Sequence, residues 1–146
     1  LANEVKNVAG VKDAAGNPAE SARLMTMVPK SFELISGDDG LTLPLMAVGC
    51  TAVIGVATHW SGVDHQEMFK KWNAGDTAGA RAVNARLVES FAFETGDDNP
   101  NPLPTKAMMN HLGLDVGDAR LPMGPPPAGL AERAAQVMKN LVAARR

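Results

Sequence analysis

The run Val8-Ala9-Gly10-Val11-Lys12-Asp13-Ala14-Ala15-Gly16 places the tightest constraint on what this chain can fold into. Its small and β-branched residues read as a strand buried on both faces, the kind found in parallel sheets. A lysine stands near the end of that strand, where periodicity would place another aliphatic residue. Gly16, Asn17 and Pro18 then turn the chain out of the sheet. Removing an ammonium from water is costly, so burial at such a point favours the neutral, nucleophilic amine. A lysine that forms a Schiff base needs that property. The competing reading is a lysine whose stem lies along apolar neighbours while its head reaches water.

The 146 residues, 45% of them hydrophobic, suffice for one core of ordinary domain size. Formal net charge is -2 and the basic residues are scattered, with only Lys70-Lys71 and Arg145-Arg146 adjacent. No basic stripe is interleaved with aromatics, which argues against nucleic acid and membrane surfaces as partners. The one cysteine, Cys50, rules out an internal disulfide and suits a reducing compartment. It lies in an apolar stretch, residues 45–56, and reads as core rather than nucleophile. With no signal-peptide pattern and no long apolar run, the expected location is the cytoplasm. The chain begins with Leu1 and contains no tyrosine. Both features suggest a piece of a longer protein.

After the first strand, residues 18–27 have helical composition, ended by Pro29. Residues 32–36 form a second short strand, closed by Gly37-Asp38-Asp39-Gly40. Paired aspartates suit hard cations. An aspartate capping a helix over residues 41–48 is the stronger reading. Gly49 closes that helix, and residues 51–57 read as a third buried strand. Strand, helix, strand, helix, strand with short turns describes consecutive βαβ units. Helical periodicity returns over residues 61–72 and 76–93, where Ala82, Val83, Leu87 and Phe91 can share a core face. Prolines in the segment Asn101-Pro102-Leu103-Pro104-Thr105-Lys106 fit a helix's first turn, and that helix runs to His111. A proline-rich connector over residues 121–127 leads to a last helix over 128–146. Its apolar stripe is Leu130, Ala134, Val137, Met138 and Leu141.

His59, His65 and His111 lack zinc-ligand spacing, so no metal is expected, and His59 reads as a surface or supporting residue. No GxGxxG, P-loop or GxSxG motif is present, which removes support for nucleotide binding and serine hydrolysis.

Four ordered blocks remain: residues 10–16, Ser36-Gly37-Asp38-Asp39, residues 49–56 around Ala52-Val53-Ile54-Gly55, and Asn101-Pro102-Leu103-Pro104-Thr105-Lys106. Arg120-Leu121-Pro122 follows as a fifth. In this order and spacing they resemble the C-terminal half of the dihydrodipicolinate synthase family, nearly end to end. The resemblance implies an α/β fold, the C-terminal part of a (β/α)8 barrel with strands six to eight, followed by a C-terminal helical extension. Residues 1–73 would supply those strands and their helices, and residues 74–146 the C-terminal helices of the same domain. Residues 8–13, 32–36 and 53–57 would be the three strands. Chemistry in such barrels gathers at the C-terminal ends of the strands.

The implied activity is a lyase of diaminopimelate and lysine biosynthesis that condenses pyruvate with aspartate semialdehyde. Lys12 takes the place of the Schiff-base lysine, with no separate cofactor. Ile54 takes the place of the residue whose backbone lies against bound pyruvate, and Gly37 and Asn101 line the mouth and loop. Implied partners are the missing N-terminal half of the barrel and further copies in a homo-oligomer, a tetramer in the family. Asp13 and Ala15 depart from the usual Glu and Thr, Ala52-Val53-Ile54-Gly55 departs from Gly-Val-Ile-Ser, and His59 stands where Asn is frequent. The proton-relay tyrosines of the family have no counterpart in a chain without tyrosine. Another class I pyruvate aldolase, of the sialic-acid or 2-keto-3-deoxy-sugar lyase type, would share Lys12. A catalytically dead structural or regulatory module is the third reading. These residues alone are expected to be inactive and to self-associate.

Overall fold

Parallel strands cannot be joined by a tight turn, so each pair in this chain needs a crossover, and a helix supplies it. The computed structural model describes residues 1–146. It runs β1 (Gly10–Asp13), α1 (Pro18–Met25), β2 (Glu33–Ser36), α2 (Thr42–Met46) and β3 (Cys50–Val53). The helices α3 (Thr58–Asn73), α4 (Thr77–Glu94), α5 (Leu103–His111) and α6 (Leu130–Ala144) follow. The strands form one parallel sheet in the order β1-β2-β3. Asn17 caps α1, its Oδ1 accepting from the backbone N–H of Ala19 at 3.1 Å and Glu20 at 3.4 Å. Pro18 opens the helix with its φ already suitable.

The expected fold class is corrected here. The chain is an open, three-stranded parallel sheet with six helices, not a barrel, and the strand numbers six to eight are not carried over. A barrel must return its last strand to its first, and here β1 and β3 each pair only with β2. Nor is β1 buried on both faces. Val8 is 36% exposed and Lys12 is exposed, whereas Leu34 on the central strand is fully buried. The third strand also stops earlier than its apolar run suggests, at Val53; one further ladder bond from Ile54 follows, and the Val56 and Ala57 amides are then taken by side chains.

The main core lies away from the sheet, among α3 to α6, and draws Met46, Ala57 and Trp60 into it. On α6, Leu130, Ala134, Val137 and Leu141 are buried with Met138 packed against them, so the expected stripe faces this core. On α4, Val83 and Leu87 are buried and Phe91 partly so, while Ala82 faces solvent. Trp60 meets Phe93 edge-on at 6.0 Å and donates its indole N–H to Ser90 Oγ at 3.1 Å. A smaller cluster of Leu34, Leu45 and Cys50 packs between the sheet and α2.

One ionic knot binds three helices. Asp64 of α3 is 1% exposed and accepts from Arg86 Nε of α4 at 3.0 Å. It also accepts from Arg145 beyond α6, from Nη2 at 2.6 Å and Nε at 3.1 Å. Burial pushes its carboxyl up, but Arg145 and then Arg86 outweigh that and hold it below the usual range.

Leu87 sits at the centre of the helical core with no exposed surface. Leu87→Ala should lower stability by about 2–5 kcal/mol, read as a fall in the urea midpoint with little change in slope.

Candidate active site

Parallel register brings the ends of three strands into one row. Lys12 lies opposite Ile35, Asp13 opposite Ser36, and Ser36 opposite Val53. The ladder runs one step further, with Gly37 N–H donating to Asp13 O at 2.8 Å and Ile54 N–H to Ser36 O at 2.9 Å. Lys12, Gly37 and Ile54, far apart in sequence, therefore share the carboxyl end of the sheet.

Gly37 and Lys12 are in close contact. A Cβ on Gly37 would fall 2.9 Å from Lys12 Cε, 2.9 Å from Ala14 Cβ and 3.0 Å from Asp13 O. The lysine stem thus crosses over a position that only glycine leaves open. Lys12 is an exposed residue, not the buried one its place in the strand suggests. The neighbouring Asp13 is turned towards α1, where Ser21 Oγ donates to it at 2.5 Å and Ala15 N–H at 2.9 Å. Those bonds, Ser21 first, hold its carboxyl below the usual range. Ile54 leaves its side chain 53% exposed while its backbone stays in the ladder.

Asn101 is not joined to this row by its hydrogen bonds. Its Oδ1 accepts from Thr105 Oγ1 at 3.0 Å and its N–H donates to Thr95 Oγ1 at 3.4 Å, both around the start of α5. His59 is exposed, with Nδ1 2.8 Å from Val56 O. Cys50 is buried, and that burial pushes its thiol up, which suits core rather than nucleophile. No group of three or more His, Cys, Asp or Glu side chains could hold a metal ion.

The aspartate pair differs from its sequence reading. Asp38 Oδ1 accepts from Leu41 N–H at 3.0 Å, fixing the turn, but no side chain caps α2. Asp39 points elsewhere. It is 1% exposed, and its Oδ2 accepts from Val56 N–H at 2.5 Å, at the entrance to α3. Its Oδ1 faces His65 Nε2 at 3.4 Å. Glu94, at the end of α4, accepts from Ala57 N–H at 3.1 Å through Oε2. Burial, then Asp39 beside it, pushes the Glu94 carboxyl up to about 8. Sequence reasoning passed over His65 and Glu94, which lie on separate helices and form no local motif. The one available signal was Gly55, where a Cβ would overlap the Asp39 carboxyl.

The dihydrodipicolinate synthetase family model matches residues 1–143, almost the whole chain. The chain belongs to the dihydrodipicolinate synthetase family. The 4-hydroxy-tetrahydrodipicolinate synthase of Nostoc sp. is 36% identical over 138 residues, covering 94% of this chain and 46% of its own length. That of Bacillus subtilis is 38% identical over 127 residues, covering 86% and 42%. The crystal structure of DHDPS from Cyanidioschyzon merolae with lysine bound superposes with a TM-score of 0.90 at 32% identity. It covers 97% of this chain and 47% of that one. The chain therefore spans about half the length of the relatives it matches. No helix is long and apolar enough to cross a membrane.

Within this family member, Gly55 is held to glycine by space, not by backbone angle. Gly55→Ala should cost about 1–3 kcal/mol by driving Asp39 off the Val56 amide. The check is a lowered urea midpoint together with faster hydrogen exchange at Val56.

Proposed function

We propose that the chain carries the imine-forming lysine of a lyase in diaminopimelate and lysine biosynthesis, one that condenses pyruvate with aspartate semialdehyde. The observation that carries this reading is the placement of Lys12 beside Gly37 and Ile54 at the carboxyl end of the sheet. Family membership supplies the reaction class.

In this reading the unprotonated Lys12 amine attacks the ketone carbon of pyruvate. The carbinolamine loses water and leaves a C=N bond, whose nitrogen withdraws electrons from the adjacent methyl carbon. That carbon releases a proton, and the enamine attacks the aldehyde carbon of the second substrate. The covalent intermediate divides one hard deprotonation into easier steps. The Gly37 position lets the lysine stem lie flat, and the Ile54 backbone forms the wall opposite. Asn101 belongs to the loop of the same mouth in this reading. No tyrosine among the 146 residues can relay the protons.

The partners in this reading are the rest of a longer enzyme and further copies of the chain. The groove lined by Leu1, Val8, Val11, Leu24, Met27 and Phe32, of about 410 Å³, supports an apolar neighbour on the β1 side. The cytoplasm is the corresponding location.

The test is a chimera in which this chain replaces the stretch it matches in the Bacillus subtilis relative. Pyruvate with borohydride should leave a carboxyethyl group on Lys12, and Lys12→Ala should remove it. Label on Lys6, Lys30 or Lys106 would overturn the assignment. Cleavage of a 2-keto-3-deoxy sugar acid without semialdehyde turnover would overturn the choice of second substrate.

A further inference from the structure

We propose that Asp39, Glu94 and His65 form a buried proton-sharing cluster that positions the β3–α3 corner, and through it the Ile54 backbone, at the mouth that carries Lys12. The inference rests on the proposed function only for what Ile54 faces; the cluster itself is a matter of geometry.

Counting hydrogens shows why protons must be shared. Ser61 O can only accept, so His65 Nδ1, 3.0 Å away, carries the hydrogen of that bond. Ser61 Oγ donates to Ala57 O at 2.7 Å. His65 Nε2 therefore meets Asp39 Oδ1 lone pair to lone pair unless a proton lies between them. Both atoms are buried and have no other partner. Glu94 and Asp39 present the same problem, two carboxyls in contact and largely out of water. A proton on Glu94 resolves it, since the acid then donates to Asp39 while its other function still accepts from Ala57.

The groups facing the cluster come from every neighbouring element. The β2–α2 loop brings Asp38 and Asp39, α3 brings His65, and α4 brings Glu94. Asp39 and Asp38 both act on Glu94 to keep its proton. The link to the mouth is short. Asp39 Oδ2 holds Val56 N–H, Gly55 presses against the same carboxyl, and Gly55 O accepts from Thr58 Oγ1 at 2.8 Å. Ile54 N–H holds Ser36 O, and Ser36 Oγ donates to Asp38 O at 2.7 Å. A shift of the Asp39 carboxylate is thus passed to both flanks of Ile54.

The sign follows from the proton on Glu94. The folded chain keeps it up to about pH 8, while the unfolded chain releases it near 4.5. The folded state binds more protons in that window, so stability falls as pH rises through it. Above it, two facing carboxylates push the corner apart.

The test follows the backbone amides of Ile54, Val56 and Ala57 by NMR across this pH range in the chimera. All three should shift in one step with a midpoint near 8. Glu94→Gln keeps a donor for Asp39 and an acceptor for Ala57, so it should fold, abolish the step and flatten the fall in stability. Asp39→Asn should displace the Val56 amide at every pH. A step that survives in Glu94→Gln, or an Ile54 amide that stays still while Ala57 moves, would overturn the proposal. Labelling of Lys12 in the chimera is read separately. If it fails while the amide step holds, the proposed function falls and the cluster stands.

Discussion

The structure depends on one buried carboxylate at the mouth of a helix. Asp39 leaves the β2–α2 loop and accepts from Val56 N–H, just before α3 begins. Amides at a helix entrance lack intrahelical partners and carry a partial positive charge, so a carboxylate there is stabilised. In most chains such a residue is a local cap, adjacent to its helix in sequence. Here it reaches across from the preceding strand, so one bond fixes both the exit of β3 and the entry of α3. Glu94 takes the next amide from a third element, the end of α4. Sheet and helical core are thereby pinned to the same corner.

That arrangement explains where sequence reasoning succeeds and where it stops. The βαβ order, the turn at Gly16-Asn17-Pro18 and the stripe on α6 are local, set by periodicity and short-range bonds, and they are legible. Lys12, Gly37 and Ile54 are grouped in the sequence only by the family resemblance; parallel register explains why the three lie at one end of the sheet. The extent of burial is not legible. An apolar run indicates preference for a core, but the layers packed on the sheet decide whether a face is covered, and on β1 Lys12 is left exposed. The aspartate pair misleads because a cap is read from the nearest helix, and Asp39 serves the next one.

The Asp64 knot lies further beyond reach. Arg86 and Arg145 approach one carboxylate from α4 and from the residue after α6. No spacing rule connects positions so distant. Removing one partner from such a buried group costs about 3–5 kcal/mol, since the remaining charge is left uncompensated. The helical half is therefore closed by charge at its rim and by apolar packing within.

The contact between Lys12 and Gly37 limits how this chain can diverge. Gly37 has no positive φ, so its backbone would accept any side chain; the obstacle is the lysine stem and Ala14. A methyl group there meets the Lys12 stem, Ala14 Cβ and the Asp13 carbonyl together, so shortening residue 12 alone does not make room for it. Gly55 is different, because a larger residue could be matched by a smaller one at Asp39. Drift can thus trade across the second glycine by paired changes, whereas the first stays locked by three neighbours, one of them backbone.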